Sequence, residues 1–297
     1  MSIARPRLPS FFKQSVPSGS AFVAVQESIQ EFKLNTVCEE AKCPNRTHCY
    51  GRGTLTFQIL GDTCTRSCGF CAEKFAGKSP LAALDPSEPA RVVQAAKKLN
   101  LRHVVITSPA RDDMKDQGAG QFAAVIRLFR QELPNVTVEV LTPDFQGNQE
   151  CLDLVFASRP DIFNHNIETV RRLTPKVRSK ATYDRTLMVL KQAAAAGLVT
   201  KSGIMVGHGE TQEELVQTFQ DLVAVGCKML TLGQYLPPSS HHLPVVRFVA
   251  PEEFDQWRQE ALQCGFVDVA AGPLVRSSYH ADELAAKSKL EITNSKI

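Results

Sequence analysis

Residues 61–71 read GDTCTRSCGFC and place Cys64, Cys68 and Cys71 in a C-x3-C-x2-C spacing. Directly upstream, residues 55–60 read LTFQIL, and their alternating apolar side chains predict a β-strand. The three thiolates would then lie on a short loop at the end of a strand. Such a loop can hold three corners of an iron–sulfur cube, and because it has no fourth cysteine, one iron would stay open to another ligand.

A second triad precedes the first, since Cys38, Cys43 and Cys49 follow a C-x4-C-x5-C spacing. One interpretation is a zinc site with His48 as the fourth ligand, because zinc accepts three cysteines and one histidine. The adjacent His48 and Cys49 would then have to turn onto one metal. The other interpretation is a second iron–sulfur cluster whose fourth ligand lies elsewhere in the chain. Nine cysteines, an odd number clustered mainly in triads, suit metal better than disulfides and indicate a reducing compartment.

Composition and charge argue against several classes of protein. The 297 residues are 43% hydrophobic and 22% charged, as in an ordinary globular protein of one or two domains. The net charge of +3 is too small to indicate nucleic-acid binding. Because the sequence has no run of about 18 apolar residues, we expect no membrane-spanning segment.

From residue 55 onward, the pattern alternates between strands and helices. Apolar residues within 122–129 repeat at helical spacing, and residues 211–214 read TQEE, a capping box that predicts a helix start. This alternation predicts a parallel sheet with helices outside, and ligands gather at the carboxyl ends of such strands. Periodicity alone does not distinguish a full barrel from a partial one. The predicted strands are residues 55–60, 103–107, 136–141, 162–166, 202–206 and 229–233.

The two triads, followed by RSSY at residues 276–279, resemble lipoyl synthases, a family within the radical S-adenosylmethionine superfamily. The similarity runs from Thr36 to Asp282. The segments that carry it include TVCEEAKCPN (36–45), ILGDTCTRSCGFC (59–71), PDIFNHNIETV (160–170), TKSGIMVG (200–207) and GPLVRSSYHAD (272–282). The chain departs from the family pattern at Tyr50, Ala72, Pro109, Ala110 and His208, none of which is a predicted cluster ligand.

This resemblance implies a fold and an activity. The fold would be α/β, a partial (β/α)6 TIM-like barrel with extensions at both ends. The N-terminal extension would cover residues 1–50, the barrel 51–250, and the C-terminal helix and RSSY-bearing extension 251–297. The activity would be that of a sulfurtransferase, which uses radical chemistry to insert two sulfur atoms at C6 and C8 of a protein-bound octanoyl-lysine and so makes the lipoyl cofactor.

The resemblance also implies two [4Fe–4S] clusters. The cluster that binds and cleaves S-adenosylmethionine matches Cys64, Cys68 and Cys71. The auxiliary cluster, the sulfur donor, matches Cys38, Cys43, Cys49 and Ser278. We further expect Ser278 to act in catalysis as a releasable ligand, because an oxygen ligand suits a soft iron–sulfur centre less well than a thiolate does. Without the resemblance, Ser278 would be interpreted as a turn hydroxyl.

Four other residues are expected to contact S-adenosylmethionine, namely Phe70, Asn166, Glu168 and Arg178. Asn166 and Glu168 come at the end of the fourth predicted strand, where a structural network of strand-end side chains is the alternative. Arg178 belongs to a basic run at 171–180, which is typical of a solvated face and could also meet an acidic carrier domain.

The implied protein substrate is an octanoylated lipoyl carrier domain, from a 2-oxoacid dehydrogenase E2 component or a glycine cleavage H protein. A ferredoxin- or flavodoxin-type reductant and an iron–sulfur carrier protein are also implied. We expect neither nucleic acid nor a membrane as a partner, and a cytoplasmic location. Two other functions stay open: a different radical enzyme that inserts sulfur, and a carrier of an iron–sulfur cluster or zinc that does not cleave S-adenosylmethionine.

Overall fold

The main sheet contains the six predicted strands and one further strand at each edge. The computed structural model describes residues 7–13, 20–41, 43–51 and 55–278, so Tyr279 and the end of the predicted C-terminal extension lie outside the described residues. Within these residues, the main sheet has eight strands and a second sheet has two. The strands are β1 (Asn35–Thr36), β2 (Thr56–Gln58), β3 (Thr63–Cys64), β4 (Lys74–Phe75), β5 (His103–Thr107), β6 (Thr137–Leu141), β7 (Ile162–Asn164), β8 (Val199–Val206), β9 (Met229–Gln234) and β10 (Asp268–Gly272).

The pairing of the strands confirms the prediction of a parallel α/β sheet. Strands β2 and β5 to β9 pair in parallel in chain order. Strand β10 adds a seventh parallel strand beside β9, and β1 pairs antiparallel with β2. The strand order is linear, and in the described part of the chain β1 and β10 do not pair with each other. The sheet is therefore an open, partial barrel. Strands β1 and β10 lie outside residues 51–250 but belong to the same sheet. The domain boundaries at 50 and 250 therefore stay predictions.

Helices connect the parallel strands and cover the outside of the sheet. The predicted helical face of residues 122–129 is confirmed by four fully buried side chains of α5, namely Phe122, Val125, Ile126 and Phe129. The capping box is also confirmed, since α9 begins after Thr211 with both of its reciprocal hydrogen bonds present. The helices are α1 (Ser20–Glu31), α2 (Val37–Glu40), α3 (Arg46–Gly51), α4 (Glu88–Lys98), α5 (Ala119–Glu132), α6 (Gln149–Ala157), α7 (Thr174–Val177), α8 (Tyr183–Ala195), α9 (Gln212–Ala224) and α10 (Pro251–Cys264).

The N-terminal segment covers the β2 edge of the sheet. Helix α1 packs against α3, and its Val25 and Ile29 join the hydrophobic core shared with β2 and β5. Arg91 of α4 donates hydrogen bonds to the carbonyl oxygens of Phe32 and Lys33, at 2.9 and 2.8 Å, which satisfies groups just past the end of α1. The second cysteine triad is thus carried beside β2, on and between the short helices α2 and α3.

A membrane-spanning segment was not expected from the sequence. Among the helices of the described residues, none combines the length and the apolar character needed to cross a bilayer.

Candidate cofactor and cluster site

A cavity of about 550 Å³ opens at the carboxyl ends of the parallel strands and brings the predicted site together. Both triads line it, with Cys38, Cys43, Cys49, Cys64, Cys68 and Cys71. The other predicted site residues line the same cavity, namely Phe70, Asn166, Glu168, Arg178 and Ser278. Their roles as ligands stay predictions, but their positions in the fold are those that a shared site requires.

The first triad begins at Cys64, the last residue of β3, and continues on the loop that follows. The backbone N–H groups of Arg66 and Ala110 each donate to the Cys64 sulfur at 3.3 Å. Burial raises the pKa of the Cys64 thiol, and these two N–H groups oppose the rise. Burial also raises the pKa of Cys71, to about 12. A thiol whose pKa is raised by burial becomes a thiolate when it binds a metal, and its proton is released to solvent. Soft thiolates that accept N–H···S hydrogen bonds suit an iron–sulfur cluster. The departure from the family pattern at Ala110 leaves its backbone contact in place.

Arg66 clamps this loop to the ends of β5 and β6, a role that the sequence analysis did not assign. Its guanidinium lies 2.7 Å from a carboxylate oxygen of Asp112 and 2.7 Å from one of Asp144. Arg66 is 5% exposed, and the two carboxylates are 8% and 0% exposed. Burial raises the pKa of Asp144, but the Arg66 charge and the hydrogen bonds from Arg66 and the Gln146 N–H together outweigh it and hold that pKa well below its usual range. Arg185 adds a second partner for Asp144 at 3.1 Å.

A loop after β9 covers the first triad from the other side. Leu243 N–H donates to the Gly69 carbonyl oxygen at 3.0 Å, and His242 Nε2 donates to the Cys71 carbonyl oxygen at 2.9 Å. Gly69 permits this approach, because a Cβ there would lie 3.0 Å from the Leu243 side chain. Ser239 hydrogen-bonds His242 Nδ1 at 2.8 Å and orients the ring. His242 therefore supports the loop that carries the first triad.

The second triad has one buried cysteine and two that are partly exposed to solvent. Burial, and then the neighbouring Cys43, raise the pKa of Cys38 to about 12, whereas Cys43 and Cys49 are half-buried. His48 lines the cavity beside them. Within the described residues, no three His, Cys, Asp or Glu side chains converge closely enough to hold one metal ion. A cluster requires its thiolates at separate corners rather than at one point, so the spread of this triad is compatible with a cluster.

Residues 275–278, which include the first three residues of RSSY, reach the cavity from the end of β10. Gly233 of β9 allows its approach, since a Cβ there would lie 2.0 Å from the Val275 carbonyl oxygen. Asn45, between Cys43 and Cys49, donates to the Leu274 carbonyl oxygen at 2.5 Å. The structure thus ties the segment that carries the predicted ligand Ser278 to the loop of the second triad.

Asn166 and Glu168 lie just beyond β7, as predicted. Glu168 adopts a left-handed backbone conformation with φ of 70°, unusual for a residue other than glycine and common at functional sites. Its N–H donates to the Gly203 carbonyl oxygen at 2.9 Å, and its own carbonyl oxygen accepts from Met205 N–H at 2.8 Å. Burial raises the pKa of the Glu168 carboxyl, and the nearby Arg178 and Asn166 oppose the rise.

Arg178 points into the protein, unlike the solvated face considered from the sequence. Its Nη1 donates to the Asn166 carbonyl oxygen at 3.1 Å and to the Thr186 hydroxyl at 2.8 Å. That hydroxyl lies 3.3 Å from His165 Nε2, and His165 Nδ1 donates to a backbone carbonyl oxygen at 2.8 Å. Burial, followed by the Arg178 charge, lowers the pKa of His165 to about 4, so the ring is neutral at pH 7. Other members of the run do face outward, and Arg171 and Arg172 pair there with carboxylates.

The barrel interior contains a buried ionic group that the sequence analysis also missed. Glu139 of β6 accepts from Lys201 Nζ at 2.9 Å and from Asn164 Nδ2 at 3.0 Å. His103 Nε2 lies 3.5 Å from the other carboxylate oxygen of Glu139 and lines the cavity. Burial raises the pKa of Glu139, but the charge of Lys201 and the contact with His103 bring it down to about 2.

The residues present fit a cluster with an additional ligand. One side of the cavity offers soft thiolates with N–H donors directed at Cys64. Opposing groups include the Asn166 Oδ1 atom, which is buried and has no hydrogen-bond partner within the described residues. A ligand that carries an N–H or O–H donor would satisfy it.

Sequence comparisons find relatives over nearly the whole chain. A family model described as the radical SAM superfamily matches residues 59–222, and one described as the N-terminal domain of lipoyl synthase matches residues 2–43. A lipoyl synthase of Treponema denticola is 48% identical over 93% of this chain and 94% of its own. Those of Rubrobacter xylanophilus and an Anaeromyxobacter species are 51% and 50% identical, over 93% and 96% of this chain and 85% and 97% of their own.

Solved structures support the fold. Streptococcus suis SuiB bound to S-adenosylmethionine matches with a TM-score of 0.55 at 11% identity, over 74% of this chain and 51% of that chain. Methylornithine synthase matches with a TM-score of 0.50 at 14% identity, over 86% and 79% of the two chains. At such low identities the likeness extends to the fold alone. The family models and the relatives near 50% identity show that the chain belongs to the lipoyl synthase family of the radical S-adenosylmethionine superfamily.

Proposed function

We propose that this enzyme inserts two sulfur atoms at C6 and C8 of an octanoyl group carried on a lysine of a carrier protein, and so forms the lipoyl cofactor. The observation that carries the proposal is that both triads and Ser278 line one cavity. A reaction that needs a radical at a carbon atom and a sulfur donor beside it requires such a shared space. Membership of the family implies the octanoylated carrier substrate, one [4Fe–4S] cluster and S-adenosylmethionine.

The first triad would hold the cluster that works with S-adenosylmethionine. When bound, this pair supplies one-electron chemistry, which removes hydrogen from unactivated carbon where side-chain acids and bases cannot. Arg66 would fix the loop through Asp112 and Asp144, while the N–H groups at Cys64 favour the thiolate. The loop at His242 would exclude water from that side.

The polar groups beyond β7 would orient S-adenosylmethionine. Asn166 Oδ1 would accept a hydrogen bond from its amino group or ribose, and the Glu168 carboxylate would accept another. Arg178 would hold the Asn166 backbone in position through the hydrogen bond to its carbonyl oxygen. Phe70, packed in the apolar core around β8 and β9, would form an apolar wall beside the first triad.

The second triad would hold an auxiliary [4Fe–4S] cluster that serves as the sulfur source, with Ser278 as its fourth ligand. Because a hydroxyl oxygen is a harder ligand than a thiolate, the iron at Ser278 would leave first when the cluster is dismantled. A supply of new clusters by an iron–sulfur carrier protein and electrons from a ferredoxin- or flavodoxin-type reductant belong to the same proposal. The cytoplasmic location stays a prediction.

An anaerobic assay with a synthetic substrate tests the proposed function. The reconstituted protein is mixed with S-adenosylmethionine, dithionite and a peptide that carries octanoyl-lysine, and the peptide is followed by mass spectrometry. We expect the peptide to gain two sulfur atoms while 5′-deoxyadenosine accumulates. Cleavage of S-adenosylmethionine with an unchanged peptide would contradict the proposed substrate. Absence of any cleavage by the fully loaded protein would favour a carrier that does no chemistry.

A further inference from the structure

We propose that Ser277 is a positioning residue that couples the S-adenosylmethionine side of the cavity to the auxiliary triad. Asn166 donates from Nδ2 to the Ser277 hydroxyl oxygen at 2.7 Å. Ser277 directly precedes Ser278, the proposed releasable ligand. The inference rests on the proposed function, because that function assigns Asn166 to the cofactor and Ser278 to the auxiliary cluster.

The side-chain amide of Asn166 has a donor, Nδ2, and an acceptor, Oδ1, and each can bind a different group. Its Nδ2 is engaged by Ser277, whereas its buried Oδ1 has no hydrogen-bond partner among the residues that the structure describes. Gly203 leaves room beside Asn166 Oδ1, because a Cβ on residue 203 would lie only 2.7 Å from that oxygen. A buried acceptor without a partner costs free energy, so a ligand that donates a hydrogen bond there is favoured.

The segment that carries Ser277 is held on two sides. On one side, Asn45 from the loop of the second triad donates to the Leu274 carbonyl oxygen. On the other side, the Ser277 hydroxyl accepts from Asn166 at the end of β7. The first contact ties the segment to the auxiliary triad, and the second ties it to the proposed cofactor site. A displacement of the auxiliary triad or of the cofactor site would therefore reach the other site through this segment, which spans only Leu274 to Ser277 between the two contacts.

The hydrogen bonds of one amide depend on each other. A hydrogen bond accepted at Oδ1 polarises the Asn166 amide and strengthens its donation from Nδ2. Bound S-adenosylmethionine would thus hold Ser277, and with it Ser278, in the docked position. Because coupling between two binding events is reciprocal, a docked Ser278 would also tighten cofactor binding. The expected sign is that S-adenosylmethionine slows the loss of iron from the auxiliary cluster.

The experiment measures iron release from the full-length, reconstituted protein to a chelator, with and without S-adenosylmethionine and without any acyl peptide. Ser277→Ala is expected to release iron about threefold to tenfold faster, as for the loss of one neutral hydrogen bond, and to lose the response to S-adenosylmethionine. Ser277→Thr keeps the hydroxyl and should restore both. The matched control is Ser158→Ala, whose hydroxyl donates to the Val155 carbonyl oxygen at 2.6 Å outside the cavity and should leave both rates unchanged.

Amide hydrogen exchange in the cluster-free protein gives a second readout. Ser277→Ala and Asn166→Ala should each speed exchange in residues 272–278, and the double variant should exchange no faster than either single variant, because both break one contact. Additive effects would overturn the coupling, as would wild-type iron release with an intact S-adenosylmethionine response in Ser277→Ala. Neither readout uses the octanoyl peptide, so failure here is distinct from failure of the proposed function, which the peptide assay reports.

Discussion

The two cysteine triads line one cavity, yet different physical interactions hold them. The loop of the first triad is fixed by a buried ion pair between Arg66 and two carboxylates and by backbone N–H groups that point at Cys64. The second triad lies on and between two short helices, and the ion pair beside it, Arg46 with Glu39, is exposed and 3.8 Å long. Its proposed fourth ligand comes from a separate segment after β10.

This difference fits the two different fates that the proposed function gives to the bound clusters. A site that works in every turnover benefits from a rigid, preorganised loop. A site whose cluster is dismantled and replaced needs ligands that can open, such as an oxygen ligand on a segment held by a few hydrogen bonds. Three predictions follow from the difference between the two triads, and each has an outcome that would contradict it.

The largest effect is expected from Arg66→Leu. The change leaves the buried carboxylates of Asp112 and Asp144 without their main partner, which should lower the free energy of unfolding by about 3–5 kcal/mol. Chemical denaturation of the cluster-free protein measures this loss. Arg130→Leu is the matched control, because its pair with Asp161 has side chains 30% and 27% exposed, and should cost about 1 kcal/mol or less. An equal loss of unfolding free energy in Arg66→Leu and Arg130→Leu would contradict the proposal that Arg66 fixes the loop of the first triad.

Acid should lower the free energy of unfolding of the barrel by protonating the buried carboxylate of Glu139. The Glu139 pKa is lowered from 4.5 to about 2, so its contribution to stability is present above pH 4.5 and is lost as the pH falls toward 2. At about 1.4 kcal/mol for each unit of pKa, this contribution amounts to about 3 kcal/mol. The free energy of unfolding of the cluster-free protein, measured from pH 6 downward, should fall more gently in Glu139→Gln. A slope unchanged by this substitution would contradict the assignment.

A more selective effect is expected at the second triad. Ser278→Ala should lower lipoyl formation by about tenfold or more, as the loss of a metal-site group does, while 5′-deoxyadenosine is still produced at a rate close to that of wild type. Mass spectrometry of the peptide and chromatography of the nucleoside measure both rates in one reaction. If both rates fell together, Ser278 would serve the fold or the first site rather than the auxiliary cluster.

Local patterns in the sequence predicted most of the fold. Strands such as 103–107 and the helix at 122–129 have their own apolar periodicity, so each could be located without knowledge of its neighbours. The edge strand β10, which reads DVAAG, is short and rich in small residues and has no such pattern. Its strand character depends on its pairing with β9, which is a tertiary interaction.

The candidate site was predictable where its chemistry is concentrated in motifs. The cysteines and the RSSY segment could be read from spacing and from the resemblance, and Asn166 and Glu168 from their place after a strand. Arg66 could not, because its partner Asp112 is 46 residues away and any basic residue in the loop would look the same in sequence. Arg178 was expected in the site only from the resemblance, because the run at 171–180 has the pattern of a solvated face and does not indicate a hydrogen bond to the Asn166 carbonyl oxygen. Long-range ion pairs and hydrogen bonds depend on how the chain returns to itself.

Iron content before and after a single turnover tests the central contrast most directly. Reconstituted protein should contain about eight irons per chain, as two [4Fe–4S] clusters require. After one lipoyl group has formed, about four should remain bound to the wild-type chain. A variant whose first-triad cysteines are replaced should hold about four irons from the start and, because it forms no lipoyl group, should lose none of them. Retention of all iron after lipoyl formation would contradict the account, because the second triad would then hold a permanent cluster like the first.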